Sequence, residues 1–310
     1  MSLSPVNLPP VSLPPRPLRL AAACYPIDAP ADWPALASKL ARWVADAAAR
    51  GADIAVLPEY AGLEAALALA PERKSISEWC TASAEVGDRY AALCAQLAQD
   101  HRLILLSGSA PANAGSRLVN RAWLCCPNGE IIAQDKVMLT PWERAHTPLT
   151  PGAPPRALDT PAGRLATLIC YDAEFPPLAD RLAPDILLVP SATEAPAGNA
   201  RVRIGAQARA LEGQCVTVHA ALTGGTDLCE IIDVNTGAAG IYAPPDHPFP
   251  PDGILTQGAP DVPGWVIADL PAGALSATRS QGAVALRAHM DEARAAAESS
   301  AARPARTLRA

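Results

Sequence analysis

The chain has 310 residues, half of them hydrophobic, and 31 acidic against 25 basic side chains give it a formal charge of −6. That length can bury a sizeable core in one large domain, and the lack of any Lys/Arg-rich block argues against nucleic acid as a partner, because phosphate binding needs a clustered basic face. No apolar run approaches the roughly 20 residues that span a bilayer, and Met1 to Pro17 lacks the charged and apolar regions of a secretory signal, so a cytoplasmic protein is expected.

The eight cysteines are scattered, several inside apolar strands, which suits reduced thiols. No pair has a C-x-x-C spacing, the five histidines do not cluster with cysteines, and adjacent Cys125 and Cys126 point to opposite faces of a strand. Neither a metal nor another cofactor is expected.

The proline-rich segment 1–17 reads as an extended arm. Leu18 to Tyr25 is a first strand. Trp33, Leu36, Leu40, Trp43, Val44 and Ala47 recur at helical spacing, closing at Arg50-Gly51, and Asp53 to Pro58 is a second strand. Strand, helix, strand is a unit of a layered α/β fold. Glu59 follows at once, with Pro58 fixing the backbone before it; a solvated carboxylate is the plain alternative.

Ser77 to Gln99 reads as a long helix, Leu103 to Ser107 as a strand, and Gly108 to Ser116 as a loop of small residues. Asn120 to Cys126 and Glu130 to Lys136 flank a Pro127-Asn128-Gly129 turn, a hairpin signal that ends in Lys136. Thr140 to His146 is a loop rich in chemistry-capable groups. Trp142 and His146 within it either line a pocket or simply pack.

Arg164 to Ile169 is a buried strand ending in Cys170, and Pro176-Pro177 cannot continue a strand but can open a helix. A lone cysteine on such a strand is most often a small buried hydrophobe. Its company changes that reading, since three strands deliver Glu59, Lys136 and Cys170 at their ends. Asp185 to Pro190 is another strand, and Arg203 to Gly213 a helix with Arg209 and Glu212 one turn apart. Cys215 to Ala221, Leu228 to Val234, Gly240 to Tyr242 and Trp265 to Leu270 follow as strands, with Ala243 to Pro263 irregular. Ala283 to Ala302 is a helix whose weak apolar face suits a subunit contact or a frayed tail. The expected organisation is an arm over 1–17, one domain over 18–282 and a helical tail over 283–310.

Leu57-Pro58-Glu59, Asn128-Gly129-Glu130 with Asp135-Lys136, Pro151-Gly152, Cys170-Tyr171-Asp172 with Phe175-Pro176, Val189-Pro190-Ser191 and Arg209-Ala210-Leu211-Glu212 stand in one order from about Leu18 to Leu270. In this ordered set the chain resembles the nitrilase superfamily of carbon-nitrogen hydrolases, in its amidase-like branch. The resemblance implies an α/β four-layer αββα sandwich, paired as a homodimer or higher homo-oligomer through a helical face near the nucleophile. It also implies a catalytic triad of Glu59, Lys136 and Cys170, with Glu143 a second acidic residue nearby.

The implied chemistry suits those side chains. A thiol is a poor nucleophile until deprotonated; Glu59 can take its proton and pass it to a leaving amine, while the Lys136 ammonium and the Tyr171 N–H face a developing oxyanion. The substrate would be a small amide, nitrile or carbamoyl compound, attacked to give a thioester that water hydrolyses. Trp142 and Glu194 are further candidates for the pocket wall. Thr193 to Asn199 and Ala220 to Gly224 depart from the family's usual residues close to substrate, so the resemblance does not name one. Two alternatives stay open: an acyltransferase that passes the thioester to an amine, and a non-catalytic binding protein on the same fold.

Overall fold

The computed structural model describes residues 15–301 except Pro71 and Arg73. Its first half runs β1 (Leu18–Ile27), α1 (Trp33–Ala49), β2 (Ile54–Val56), α2 (Glu64–Leu67), α3 (Ile76–His101), β3 (Ile104–Ala114), β4 (Arg117–Cys125), β5 (Ile131–Asp135) and α4 (Pro141–His146). Then follow β6 (Leu158–Thr160), β7 (Gly163–Thr167), α5 (Pro176–Leu182), β8 (Ile186–Ser191), α6 (Pro196–Gly213) and β9 (Val216–Gly224). β10 (Gly240–Tyr242), β11 (Ile254–Gln257), β12 (Gly264–Leu270), α7 (Ala274–Gln281) and α8 (Leu286–Ala301) complete it.

The helices start where local chemistry supplies their free N–H groups with acceptors. Asp32 caps α1 through a 2.8 Å bond from Ala35 N, and Ser75 with Glu78 forms a capping box at α3. Leu36, Leu40, Val44 and Ala47 give α1 one apolar face, buried against the sheet.

The strands form one mixed sheet in the order β5-β4-β3-β2-β1-β9-β8-β7-β6, with β12 paired to β1 and the β10–β11 hairpin to β9. β1 joins its two halves: Leu20–Ala22 pair with β2, and Cys24–Ile27 with β9. Successive side chains point to opposite faces. Leu20, Ala22, Ile54, Val56 and Leu106 therefore pack in one core with Ile186 and Val218, while Ala21, Ala23, Ala55 and Leu57 meet α1 and α3 in another. The sheet curls, so that Leu124 and Ile132 of β4 and β5 line a small cavity together with Leu158 and Leu165 of β6 and β7.

Direction positions the site. β2, β1, β9, β8 and β7 are mutually parallel, and two antiparallel steps through β4 return β5 to the direction of β2. The residues after β2, β5, β7 and β8 thus emerge at one edge, around the point where the strand order reverses, which is where open α/β sheets bind ligands.

Several expectations need correction. Gly108 to Ser116 is no loop: β3 runs on to Ala114 after an irregularity between Leu106 and Ser109, and small side chains there reflect close packing. Leu228 to Val234 is a series of turns rather than a strand, its apolar residues serving as packing, as buried Cys229 and Ile232 show. β11 lies inside the stretch expected to be irregular, and Thr140 to His146 holds a short helix, α4. α6 begins at Pro196, a turn and more before the Arg203 expected from apolar spacing alone. α8 is tied to the body by Arg294, which bonds Asp180 at 2.5 and 2.8 Å, and by Arg287, which donates to the carbonyls of Ala183 and Pro184 at 2.6 and 2.8 Å.

Gly108 shows how packing serves the site. Its φ of +76° suits glycine, and a Cβ there would lie 2.2 Å from the carbonyl oxygen of Pro58, the residue before Glu59. Gly108→Ala is expected to cost about 2–4 kcal/mol and to lower activity by displacing Glu59, checked by thermal melting and turnover.

Candidate active site

Glu59 stands just past β2, Lys136 just past β5, and Cys170 opens a single 3-10 turn, Cys170–Glu174, after β7. Cys170 has a φ of +49°, in the left-handed region, at the bend from strand to turn. Asp172 holds that turn. Its buried carboxylate accepts from the backbone N of Met138 at 2.7 Å, Val137 at 3.2 Å and Ile169 at 3.3 Å, strapping the cysteine's turn to the segment that follows Lys136. Arg209 of α6 supports it from behind, donating to the Ala173 carbonyl at 3.1 Å while paired with Glu212 at 2.8 Å.

The Lys136 ammonium bridges two carboxylates, at 2.8 Å from Glu59 Oε1 and 2.8 Å from both oxygens of Glu143. All three side chains are at most 3% exposed. Glu143 is the N3 residue of a capping box: its carboxylate accepts from Thr140 N at 2.7 Å, and Tyr60 Oη donates to it at 2.6 Å. Glu59 accepts from Asn120 Nδ2 at 2.9 Å and from Ala192 N at 3.1 Å. The Cys170 thiol points at the Ala192 carbonyl, 3.6 Å away, so Ala192, just past β8, touches both base and thiol.

These surroundings divide the two carboxylates. Burial pushes the proton affinity of Glu59 above the ordinary carboxylate range, and the Lys136 charge offsets only part of that. At Glu143 burial acts the same way, but the Lys136 charge and the bonds from Lys136 and Tyr60 outweigh it and hold the carboxyl below its usual range. Lys136 is raised, since the charges of Glu143 and Glu59 overcome the burial that opposes a cation. Burial, then the negative charge of Glu59, raises the Cys170 thiol well above normal. The two carboxylates are thus driven apart in proton affinity, Glu59 upward and Glu143 downward.

The structure thus brings Glu59, Lys136, Glu143 and Cys170 together. Tyr171 stacks edge-on with Phe175 at 4.8 Å beside the thiol's turn, half-buried. Trp142 is half-buried on α4, its ring 5.4 Å from that of His146, and Glu194 is exposed between β8 and α6, outside the buried cluster. Tyr60, Asn120 and Ala192 join the site without a local sequence signal, and Asp172 joins it from within the Cys170-Tyr171-Asp172 motif. The spacing Thr140-x-x-Glu143 was a legible signal for α4, being a capping-box pattern with proline just inside the helix. Among the described residues no group of three His, Cys, Asp or Glu side chains is arranged to hold a metal ion, and no helix is long and apolar enough to cross a membrane.

Known proteins agree with this architecture. The profile of the family described as carbon-nitrogen hydrolase matches residues 19–279, and the chain belongs to that family. The proteins similar to it include a probable hydrolase and amidases, among them members of the nitrilase superfamily. The chain is 32% identical over 272 residues to Probable hydrolase YhcX of Bacillus subtilis, covering 86% of this chain and 52% of that protein, so it spans about half the length of that relative. With Deaminated glutathione amidase of Synechocystis it shares 29% identity over 248 residues, 75% of this chain and 84% of the relative. An amidase from Nesterenkonia sp. superposes with a TM-score of 0.67 at 24% identity, over 88% of this chain and 97% of that one. A variant of the Nesterenkonia sp. AN1 amidase, with acrylamide added to its active-site cysteine, gives 0.66 at 25% identity, over 85% and 97%.

Proposed function

We propose that the chain hydrolyses a small amide through a thioester on Cys170, with Glu59 as general base and acid and Lys136 as the fixed cation. One observation carries this reading: a buried carboxylate of raised proton affinity lies beside a buried thiol, bonded to an ammonium that a second carboxylate keeps charged. Burial, with the negative charge of Glu59, keeps the resting thiol neutral, so the proton must pass to Glu59 as sulfur attacks the carbonyl carbon. Lys136 and the Tyr171 N–H then face the oxyanion, and Glu59 returns the proton to the departing amine. Water repeats the sequence on the thioester. The same reading includes nitriles and carbamoyl compounds as candidate substrates, a four-layer αββα arrangement of the curled sheet and its helices, and a homodimer or higher homo-oligomer.

Screening small amides and nitriles for ammonia release, with Glu59→Gln as control, tests the proposal; equal release by the variant would end it. The pH profile gives a second check. A base must be ionised to work, and the Glu59 proton affinity is raised, so kcat/KM should fall as pH drops through a value above the ordinary carboxylate range. Steady-state rates between pH 4 and 9, about the span in which a shifted carboxylate titrates, would show that limb, and a profile flat through this span would count against Glu59 as base.

A further inference from the structure

The two oxygens of Glu59 are held differently. Oε1 accepts from Lys136 Nζ at 2.8 Å and from Asn120 Nδ2 at 2.9 Å, while Oε2 accepts at 3.1 Å from the N–H of Ala192, the residue whose carbonyl lies 3.6 Å from the thiol. Asn120 is fully buried in β4, and its own carbonyl accepts from Lys136 N at 2.8 Å. One residue therefore grips the side chain of Glu59 and the backbone of Lys136. Asn120 Oδ1, by contrast, has no partner among the described residues. A buried acceptor left unpaired is a cost to folding, and a leucine of similar size would fill the space without it. What the amide does supply is a charge-assisted bond to a carboxylate.

We infer that Asn120 is a positioning residue that pins Oε1 of Glu59 and leaves Oε2 as the oxygen that exchanges protons with Cys170 and the leaving amine. This rests on Glu59 being the base. In the acylation step the S–H bond breaks and its proton goes to Oε2 as the S–C bond forms. The proton then passes from Oε2 to nitrogen as the C–N bond breaks. In deacylation a water proton goes to Oε2 as the new C–O bond forms, and returns to sulfur as the S–C bond breaks. Oε1 keeps its two donors throughout, so the carboxylate does not swing. The groups that face Glu59 are Lys136 after β5, Glu143 on α4, Cys170 after β7 and the neighbouring Tyr60.

Removing the Asn120 donor takes stabilisation from the ionised carboxylate, which raises its affinity for the proton. Asn120→Leu should lower kcat about 10- to 100-fold with KM within about twofold, and move the acid limb of kcat/KM to higher pH by about one unit. Asn120→Ala, which leaves space instead of filling it, should move the limb the same way. Unchanged kcat and limb in folded variants would overturn the inference. So would a rise in KM alone, which would make Asn120 a substrate contact, or failure of both variants to fold, which would make it structural. Glu59→Gln separates the two layers of the argument. If it abolishes turnover while the Asn120 variants behave as wild type, only this inference falls; if it keeps turnover and the limb, the assignment of Glu59 as base falls with it.

Discussion

Cys170→Ala should leave no measurable amide hydrolysis, a loss on the order of 10⁴- to 10⁶-fold, because removing a nucleophile removes the covalent path and not merely part of a barrier. The other cysteines provide the contrast. Cys80, Cys125, Cys215 and Cys229 are pushed up to about 12 by burial, and Cys94 is raised well above normal for the same reason. The Cys170 thiol is raised too, but it lies beside Glu59, the base of the proposed mechanism. Half-buried Cys126 is the natural control, and Cys126→Ser should keep full activity. Mass spectrometry after a limiting dose of iodoacetamide, itself a small amide, should find Cys170 alkylated in step with lost ammonia release. Activity surviving complete alkylation of Cys170 would remove it from the mechanism.

Lys136→Arg is expected to lose about 10²- to 10³-fold in kcat, the usual effect of removing one oxyanion donor. The charge is kept, but the ammonium occupies a buried point 2.8 Å from three carboxylate oxygens, and a planar guanidinium has neither that size nor that reach. Lys136→Met goes further. It leaves Glu59 and Glu143 buried without their cation, which should destabilise the fold by about 3–5 kcal/mol unless one carboxyl takes up a proton. Kinetics of the arginine variant and melting of the methionine variant together separate the two roles of the lysine. Turnover near normal in Lys136→Arg would show that the ammonium only balances charge.

Much of this arrangement could be read from residue order. Apolar runs ending in Pro58-Glu59, Asp135-Lys136 and Cys170 marked three strand ends, and strand direction then gathers them at one edge. What could not be read was contact across distant segments. Asn120 in an apolar strand gives no local sign that it faces Glu59, 61 positions earlier, and Tyr60 gives none that its hydroxyl reaches Glu143. Asp172 stands within the Cys170-Tyr171-Asp172 motif, yet its task is set by Val137 and Met138, which only the fold brings near. The errors in Leu228 to Val234 and Gly108 to Ser116 have one cause. Apolar content reports burial and small side chains report close packing, and neither by itself reports backbone conformation.

β1 is made before the strands that complete it. Its second half pairs with Ala221–Gly224, and its first half with Gly264–Leu270, reaching Leu18 against Leu270. Until those partners exist, one edge of the strand and the face that carries Leu20 and Ala22 are uncovered, while α1 and α3 already cover the other face. Pairings of such long sequence separation slow folding, and exposed strand edges invite association between chains. The nascent protein therefore carries its central strand as an aggregation hazard until residues 221–270 are made, and refolding from denaturant should be slow and strongly limited by protein concentration.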